Sequence, residues 1–456
     1  MKSNLSYFIP NSFPNPINMH ADTLIHARWI IPVEPAGQVL EQHSVAITAG
    51  SIQALLPTAQ AKQQITAEEI IDLSGHALIP GLINAHTHTP MSLFRGMADD
   101  LPLMEWLDRH IWPAEQRWIS AEFVADGSRL AIAEMLRSGT TCFNDMYFFP
   151  DVTGKVALET GIRTVLGMIL IDFPSAWASD TDSYLERALA LHDAFRNEST
   201  IKTIFAPHAP YSVSDGPLQR VRTLANELDL PIHMHVHETA DEIAQSLKQY
   251  GKRPLARLEE LGLTGPNLIA VHMTHLQDQE IDNFAKCGGQ VVHCPESNLK
   301  LASGFCPVTS LLNSGVNVAL GTDGAASNND LDMLGEMRSA ALLGKGVSGD
   351  PEALSAAQVL EMATINGARA LGLDTEIGSL KTGKAADITA INLQCIETLP
   401  VFNPVSQIVY AAGREQVSHV WVNGRLLLAN GELTRIDSGK LLHDTSIWQQ
   451  KLRASS

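Results

Sequence analysis

The chain has 456 residues, of which 45% are hydrophobic and 18% charged, and its formal net charge is -18. That length exceeds one simple domain and predicts a large domain plus a smaller one, with the composition of a soluble globular protein. The excess of acid excludes a nucleic-acid backbone as partner, since phosphate binding needs clustered Lys and Arg, and no apolar run is long enough to span a membrane.

Residues 1–18 contain one lysine, several Asn and Pro residues and no continuous apolar stretch; they read as a flexible tail rather than a signal peptide, and Met19 is a second candidate start. From Ala21 to about Ser74 the texture is short strands and turns: Thr23–Ala27, Ser44–Ile47 and Ile70–Leu73, punctuated by Gly37, Gly50 and Gly75. The same texture returns at Asp387–Ile391 and Val417–Arg425. Residues 19–78 and 376–435 therefore predict one small β-sandwich domain built from both chain ends, with 436–456 as a C-terminal helical tail. Cys142, Cys287, Cys294, Cys306 and Cys395 are scattered, odd in number and without a Cys-x-x-Cys pair, which predicts reduced thiols and a cytoplasmic location.

Residues 79–375 alternate apolar runs with helix-like stretches such as Leu218–Leu228 and Ser355–Leu371, the mark of parallel βαβ units. Runs end near His88, Asp145, Ile171, His208, His235, His272, His293 and Asp323. Eight such runs close a (β/α)8 barrel, the TIM-like member of the α/β class. The run Leu78–His88 ends in His86 and His88, one residue apart, so a strand delivers both imidazoles to one side. Pro231–Glu238 carries His233, His235 and His237 on one strand face by the same alternation, and further runs end at His272 and Asp323. Barrels of this kind place catalytic groups at the C-terminal ends of their strands, and imidazole is the commonest ligand for zinc-like ions. Strict alternation points Glu238 away from His235, so Glu238 can act only if the strand ends by about His237 and the chain turns; otherwise it is a carboxylate at a helix N-terminus, beside Thr239–Glu242.

The motifs Pro80–His88, His235 with Glu238, His272, Gly321–Asp323 and Gly378–Ile388 together resemble the amidohydrolase superfamily over about Ala21 to Arg435. The runs Arg95–Leu101, Glu105–Leu107, Trp112–Glu115, Pro207–Ser212 and His293–Asn298 resemble the deaminases of 5'-methylthioadenosine and S-adenosylhomocysteine. The resemblance implies His86, His88, His235 and Asp323 as ligands of one divalent metal, zinc by preference, with iron(II) or manganese(II) fitting the same donors. His235 is chosen over His233 and His237 by resemblance alone. It also implies Glu238 as the group that moves a proton from the attacking water to the ring nitrogen, His272 as the group beside that water, and Asp323 as a proton acceptor on the way to ammonia. Trp106 and Glu115 would face the ribose and His208 would donate to a purine nitrogen. The implied partner is a small purine nucleoside, converted from adenine to hypoxanthine with loss of ammonia, by an enzyme expected to be a homo-oligomer without membrane or nucleic-acid partners.

Binuclear relatives use a bridging lysine; Lys202 is the lysine in a comparable strand but lies at its beginning, which favours one metal. Relatives that accept S-adenosylhomocysteine place an arginine near Met168, whereas Thr164–Asp172 has none and Arg163 precedes the strand. That departure favours uncharged 5'-substituents. Chlorohydrolases and aminohydrolases of guanine-, pterin- or triazine-like rings share several of the motifs and form the alternative, distinguished by the ribose-facing pair. A non-catalytic scaffold would be expected to have lost ligands that this chain keeps. Residues 91–118 are long enough to form a lid or a subunit contact.

Overall fold

The computed structural model of the chain describes residues 19–454. The expected tail at 1–18 lies outside the described residues. Four strands open the chain: β1 (Met19–Ile30), β2 (Leu40–Thr48), β3 (Ser51–Pro57) and β4 (Ile65–Pro80). The barrel strands follow as β5 (Leu82–Thr87), β6 (Thr140–Asp145), β7 (Arg163–Leu170), β8 (Ile201–Pro207), β9 (Ile232–Val236), β10 (Leu268–His272), β11 (Gln290–His293) and β12 (Asn317–Leu320). The chain closes with β13 (Ile388–Asn392), β14 (Val417–Val422), β15 (Arg425–Ala429), β16 (Glu432–Leu433) and the helix Ser438–Arg453.

Two eight-stranded sheets result. In one, β5 to β12 pair in sequence order and all in parallel. In the other, strands from both chain ends interleave in the order β16-β15-β14-β13-β4-β1-β2-β3, mostly antiparallel with β1 and β4 parallel. The expected barrel and its companion sheet are thus both present. Barrel strands such as β5, β6 and β7 are buried along their whole length, as strands covered on both faces must be, which is why they read as near-continuous apolar runs. Covering helices bury one stripe each; Ala121–Arg137, capped by Ser120 Oγ accepting from Phe123 N at 3.2 Å, turns Phe123, Val124, Ala131 and Met135 inward. No helix among the described residues is long and apolar enough to cross a membrane.

The seam between β5 and β12 is stitched by side chains as well as backbone. Asn84 accepts from Thr322 N at 3.0 Å and donates to Thr322 Oγ1 at 2.7 Å, and Asp323 N donates to His86 O at 3.0 Å. Gly321 is required there: a Cβ would lie 2.8 Å from His86 N. At the other end of β5, Gly81 makes the crossing from β4, where a Cβ would lie 2.0 Å from Thr141 Oγ1.

The single helix expected over Ser355–Leu371 is two, Ala356–Met362 and Ile365–Ala370, broken at Thr364 with φ -133° and ψ -96°. The cause is tertiary. Ala363 O accepts from Ile83 N at 2.8 Å, giving the open edge of β5 a partner that an unbroken helix could not offer. The Gly378–Asp387 motif is a loop that leads into β13, with Ala385 making one bridge to Ser51, rather than a strand along its length.

A buried ion pair joins the two sheets. Arg163 Nε lies 3.0 Å from Asp387 Oδ2, with side-chain exposures of 4% and 2%, and Asp387 Oδ1 also accepts from Asn423 N at 2.7 Å. Removing one partner strands a buried charge. Arg163→Met is expected to cost about 3–5 kcal/mol in denaturant unfolding, and the double variant Arg163→Met/Asp387→Leu to recover part of that loss.

Candidate metal centre and active site

His86 is the penultimate residue of β5, His88 follows that strand directly, His235 sits in β9, and Asp323 lies just past β12. Their ligand atoms all fall within 4.8 Å of one another. His86 Nε2 is 3.2 Å from His235 Nε2 and 3.2 Å from Asp323 Oδ1, and His88 Nε2 is 3.1 Å from the same oxygen. The far nitrogens are engaged elsewhere. His88 Nδ1 donates to Met146 O at 2.5 Å and His235 Nδ1 to His208 O at 2.8 Å, which turns each Nε2 towards the common point. Asp323 Oδ2 accepts from Ser297 Oγ at 2.7 Å and Ser327 Oγ at 2.9 Å, so Oδ1 is the oxygen turned to the histidines.

Burial drives the electrostatics. It lowers His86 to about 4 and His235 well below its usual value, keeping both imidazoles neutral. For His88 burial acts the same way, but the hydrogen bond and charge of Asp323 outweigh it and raise the group to about 9. Burial would raise Asp323; hydrogen bonds from His86 and His88 hold it well below the usual carboxylate range instead. Three imidazole nitrogens and one carboxylate, each oriented from behind and crowded to hydrogen-bond distance, are donors that suit a zinc-type ion.

The other two histidines of β9 do not join this cluster. His233 stands behind His86, its Nε2 3.2 Å from His86 Nδ1 and its Nδ1 3.3 Å from Asn144 Nδ2. His237 adopts φ +54° and accepts from Leu255 N through Nε2 at 3.2 Å. That left-handed residue ends β9 and supplies the turn Glu238 needs. Glu242 fixes it, its carboxylate accepting from His237 N at 3.0 Å and Glu238 N at 2.6 Å. The helix that follows is capped by Thr239, so Glu238 lies ahead of the cap, buried and lining the cavity. Burial raises its pKa and His272 draws it back. His272, itself at φ +74°, places Nε2 3.8 Å from Glu238 Oε1 and Nδ1 2.8 Å from Asn298 Oδ1. Uncommon backbone at His237, His272 and Asp323 (φ +62°) gathers around one point, as strain does at functional sites.

Above the cluster lies a cavity of about 340 Å³ whose lining includes Trp106, Glu115, Tyr147, His208 and Phe173. Trp106 Nε1 donates to Ala98 O at 3.1 Å, leaving its ring to the cavity. Glu115 Oε1 accepts from Tyr147 Oη at 2.7 Å, and burial pushes this carboxyl up to about 7. His208 pairs through Nδ1 with Ser212 Oγ at 2.8 Å, and burial lowers it to about 3. His275 is turned to Ser303 O at 2.7 Å, away from the cluster. Lys202 is half exposed and pairs with Glu376 at 3.5 Å, at the far end of β8 from the ligands. Arg163, first residue of β7, is committed to Asp387. Among the described residues lining the cavity there is no lysine or arginine.

Sequence reasoning missed the groups that hold the site: Asn84, Asn144, Tyr147, Glu242, Ser297, Asn298 and Ser327. Asn84, Ser297 and Asn298 do sit inside motif runs, but their partners are strands away in sequence. Zinc analysis of purified variants tests the ligand set. His235→Ala is expected to lose the metal, whereas His233→Ala, which removes only a support, should retain it with affinity weakened about 10–100-fold.

Residues 77–427 match the amidohydrolase family model. The chain is 49% identical over 434 residues to a 5-methylthioadenosine/S-adenosylhomocysteine deaminase of Saccharophagus degradans, covering 95% of this chain and 97% of that one. It is 47% identical to the protein of the same name from Teredinibacter turnerae, covering 95% and 98%. Among solved structures, an adenosine deaminase from Xanthomonas campestris with bound zinc superposes with a TM-score of 0.95 at 53% identity, covering 96% of this chain and 99% of that one. The chain belongs to the amidohydrolase family, in the branch that carries the 5-methylthioadenosine/S-adenosylhomocysteine deaminases.

Proposed function

We propose that this chain is a zinc-dependent deaminase of adenine nucleosides, hydrolysing the exocyclic C–N bond to leave hypoxanthine and ammonia. The observation that carries the reading is the meeting of His86, His88, His235 and Asp323 beneath a nucleoside-sized cavity that also holds Glu238. A zinc ion on those four groups would supply a water acidified to near neutrality. Glu238 is the base for that water. Its raised pKa suits it to take the proton and return it to the purine nitrogen beside the attacked carbon. His272, steadied by Asn298, stands next to Glu238 and faces the developing oxyanion. Asp323, with Oδ2 accepting from Ser297 and Ser327 and Oδ1 from Gly324 N, is the acceptor for a proton on the way to departing ammonia.

Glu115 serves the ribose: Tyr147 occupies one lone pair, and the remaining acceptor sites receive the diol. When the Ser212 hydroxyl donates to His208 Nδ1, Nε2–H is left to donate to the purine. The 5'-substituent meets Phe148, Ile169, Ile171 and Phe173 with no cation to receive a carboxylate. That wall favours 5'-methylthioadenosine or adenosine over S-adenosylhomocysteine, whose charged tail would be desolvated without a partner. Free cysteines support a reducing, cytoplasmic setting.

Two outcomes are expected. Zinc-loaded protein should release ammonia from 5'-methylthioadenosine and adenosine with kcat/KM about tenfold or more above that for S-adenosylhomocysteine, and Glu238→Gln should lower turnover about 10²–10⁴-fold with zinc content unchanged. Loss of zinc in that variant would overturn the role of Glu238. The ribose contact has its own pH signature. Because Glu115 titrates at about 7, it loses its full acceptor capacity as pH falls, so KM should rise from pH 8 to pH 6; Glu115→Gln should give a higher KM without that slope.

A further inference from the structure

The segment that roofs the cavity rises from the 3-10 turn Thr89–Phe94 and continues through the helix Leu103–Trp106, the π-turn Leu107–Ile111 and the helix Trp112–Trp118. It carries Trp106 and Glu115, and its side chains Phe94, Trp106 and Ile111 pack in one apolar cluster with Phe123, Val124 and Tyr147. At its base Arg95 pairs with Glu134 through two guanidinium nitrogens, and at its far end Glu115 meets Tyr147. Between them, residues 100–104 form a thin partition. Leu103 and Met104 line the substrate cavity on one side and, on the other, a second cavity of about 520 Å³ bounded by Thr239, Asp241, His275 and Lys300. With a cavity on each face, this stretch is held by packing less than the rest of the segment is, although Leu101 and Leu103 still touch the apolar cluster.

Besides Arg95–Glu134, one further ion pair ties the segment down, just ahead of that wall. Lys300 Nζ lies 2.5 Å from Asp99 Oδ1, with side-chain exposures of 22% and 37%, and Lys300 also donates to Asn329 Oδ1. Lys300 is the last residue of the helix Pro295–Lys300. On that same helix Ser297 holds Asp323 and Asn298 holds His272. A six-residue helix thus has its first turns locked to the reaction centre and its end locked to the roof.

We infer that the Lys300–Asp99 pair is the latch of the roof segment, and that Lys300 is a positioning residue which sets Trp106 and Glu115 over the ribose without touching substrate. This rests on the nucleoside reading for its kinetic consequence. The partly exposed pair acts through charge, so its effect is moderate, salt-sensitive and reversible by exchanging the charges.

The test compares wild type with Lys300→Met, Asp99→Asn and the exchange Lys300→Asp/Asp99→Lys, all zinc-loaded. The single variants should raise KM for 5'-methylthioadenosine about fivefold with kcat and zinc content little changed. The exchanged protein should return to within about twofold of wild type. High salt should raise the wild-type KM towards that of the single variants, whose own KM stays flat. Trypsin cleavage after Arg109 gives a readout that needs no substrate: faster in the single variants and slowed again in the exchanged protein. Unchanged KM and proteolysis in the single variants, or an exchanged protein no better than they are, would overturn the latch. Were wild type itself inactive on every adenine nucleoside, the nucleoside reading would fail and proteolysis alone would decide the latch.

Discussion

The structure turns on a buried carboxylate. Asp323 sits at the seam where the first and last barrel strands meet, 5% exposed and facing three imidazoles. A carboxylate in that position is tolerable only when paired and hydrogen-bonded. The seam provides this from several directions: Ser297 and Ser327 take one oxygen, His86 and His88 face the other, and the Asn84–Thr322 bonds keep β5 against β12 so that the groups meet at all. Barrel closure and the metal centre are therefore the same piece of physical chemistry. Gly321 belongs to both, since any side chain there would push His86 away.

From that point outward, each reacting group is set by a neighbour that does not react. Backbone carbonyls choose the tautomers of His88 and His235, and Asn298 orients His272. Glu242 holds the turn that brings Glu238 inward and is itself so buried that its pKa is pushed up to about 8. The cavity above is predominantly apolar with a few acids and imidazoles, an arrangement suited to a neutral heterocycle.

Much of this could be read in the sequence because a parallel barrel writes itself as apolar runs ending in functional residues. Eight such runs and the His-x-His pair were legible without any contact information. Alternation could not separate His233, His235 and His237, because it fixes the face of a strand but neither depth nor where the strand stops. His233 lies behind His86, and His237 has left the strand for the left-handed region, which histidine visits more readily than most side chains but still uncommonly. The break at Thr364 was hidden for a similar reason: its cause is a hydrogen bond from Ile83, some 280 residues earlier in the chain. Arg163 illustrates the opposite limit. The sequence reading set it just before a strand, whereas it is the first residue of β7; its partner Asp387 immediately precedes β13 of the other sheet, and only the fold shows that the guanidinium is committed there.

The most direct test is turnover of 5'-methylthioadenosine by the zinc-loaded protein in water enriched in oxygen-18, followed by mass spectrometry of the nucleoside. The account predicts one heavy oxygen at the exocyclic C6 position of the product purine and one ammonia per ring converted. A nucleoside recovered unchanged, with zinc bound at one ion per chain, would contradict it.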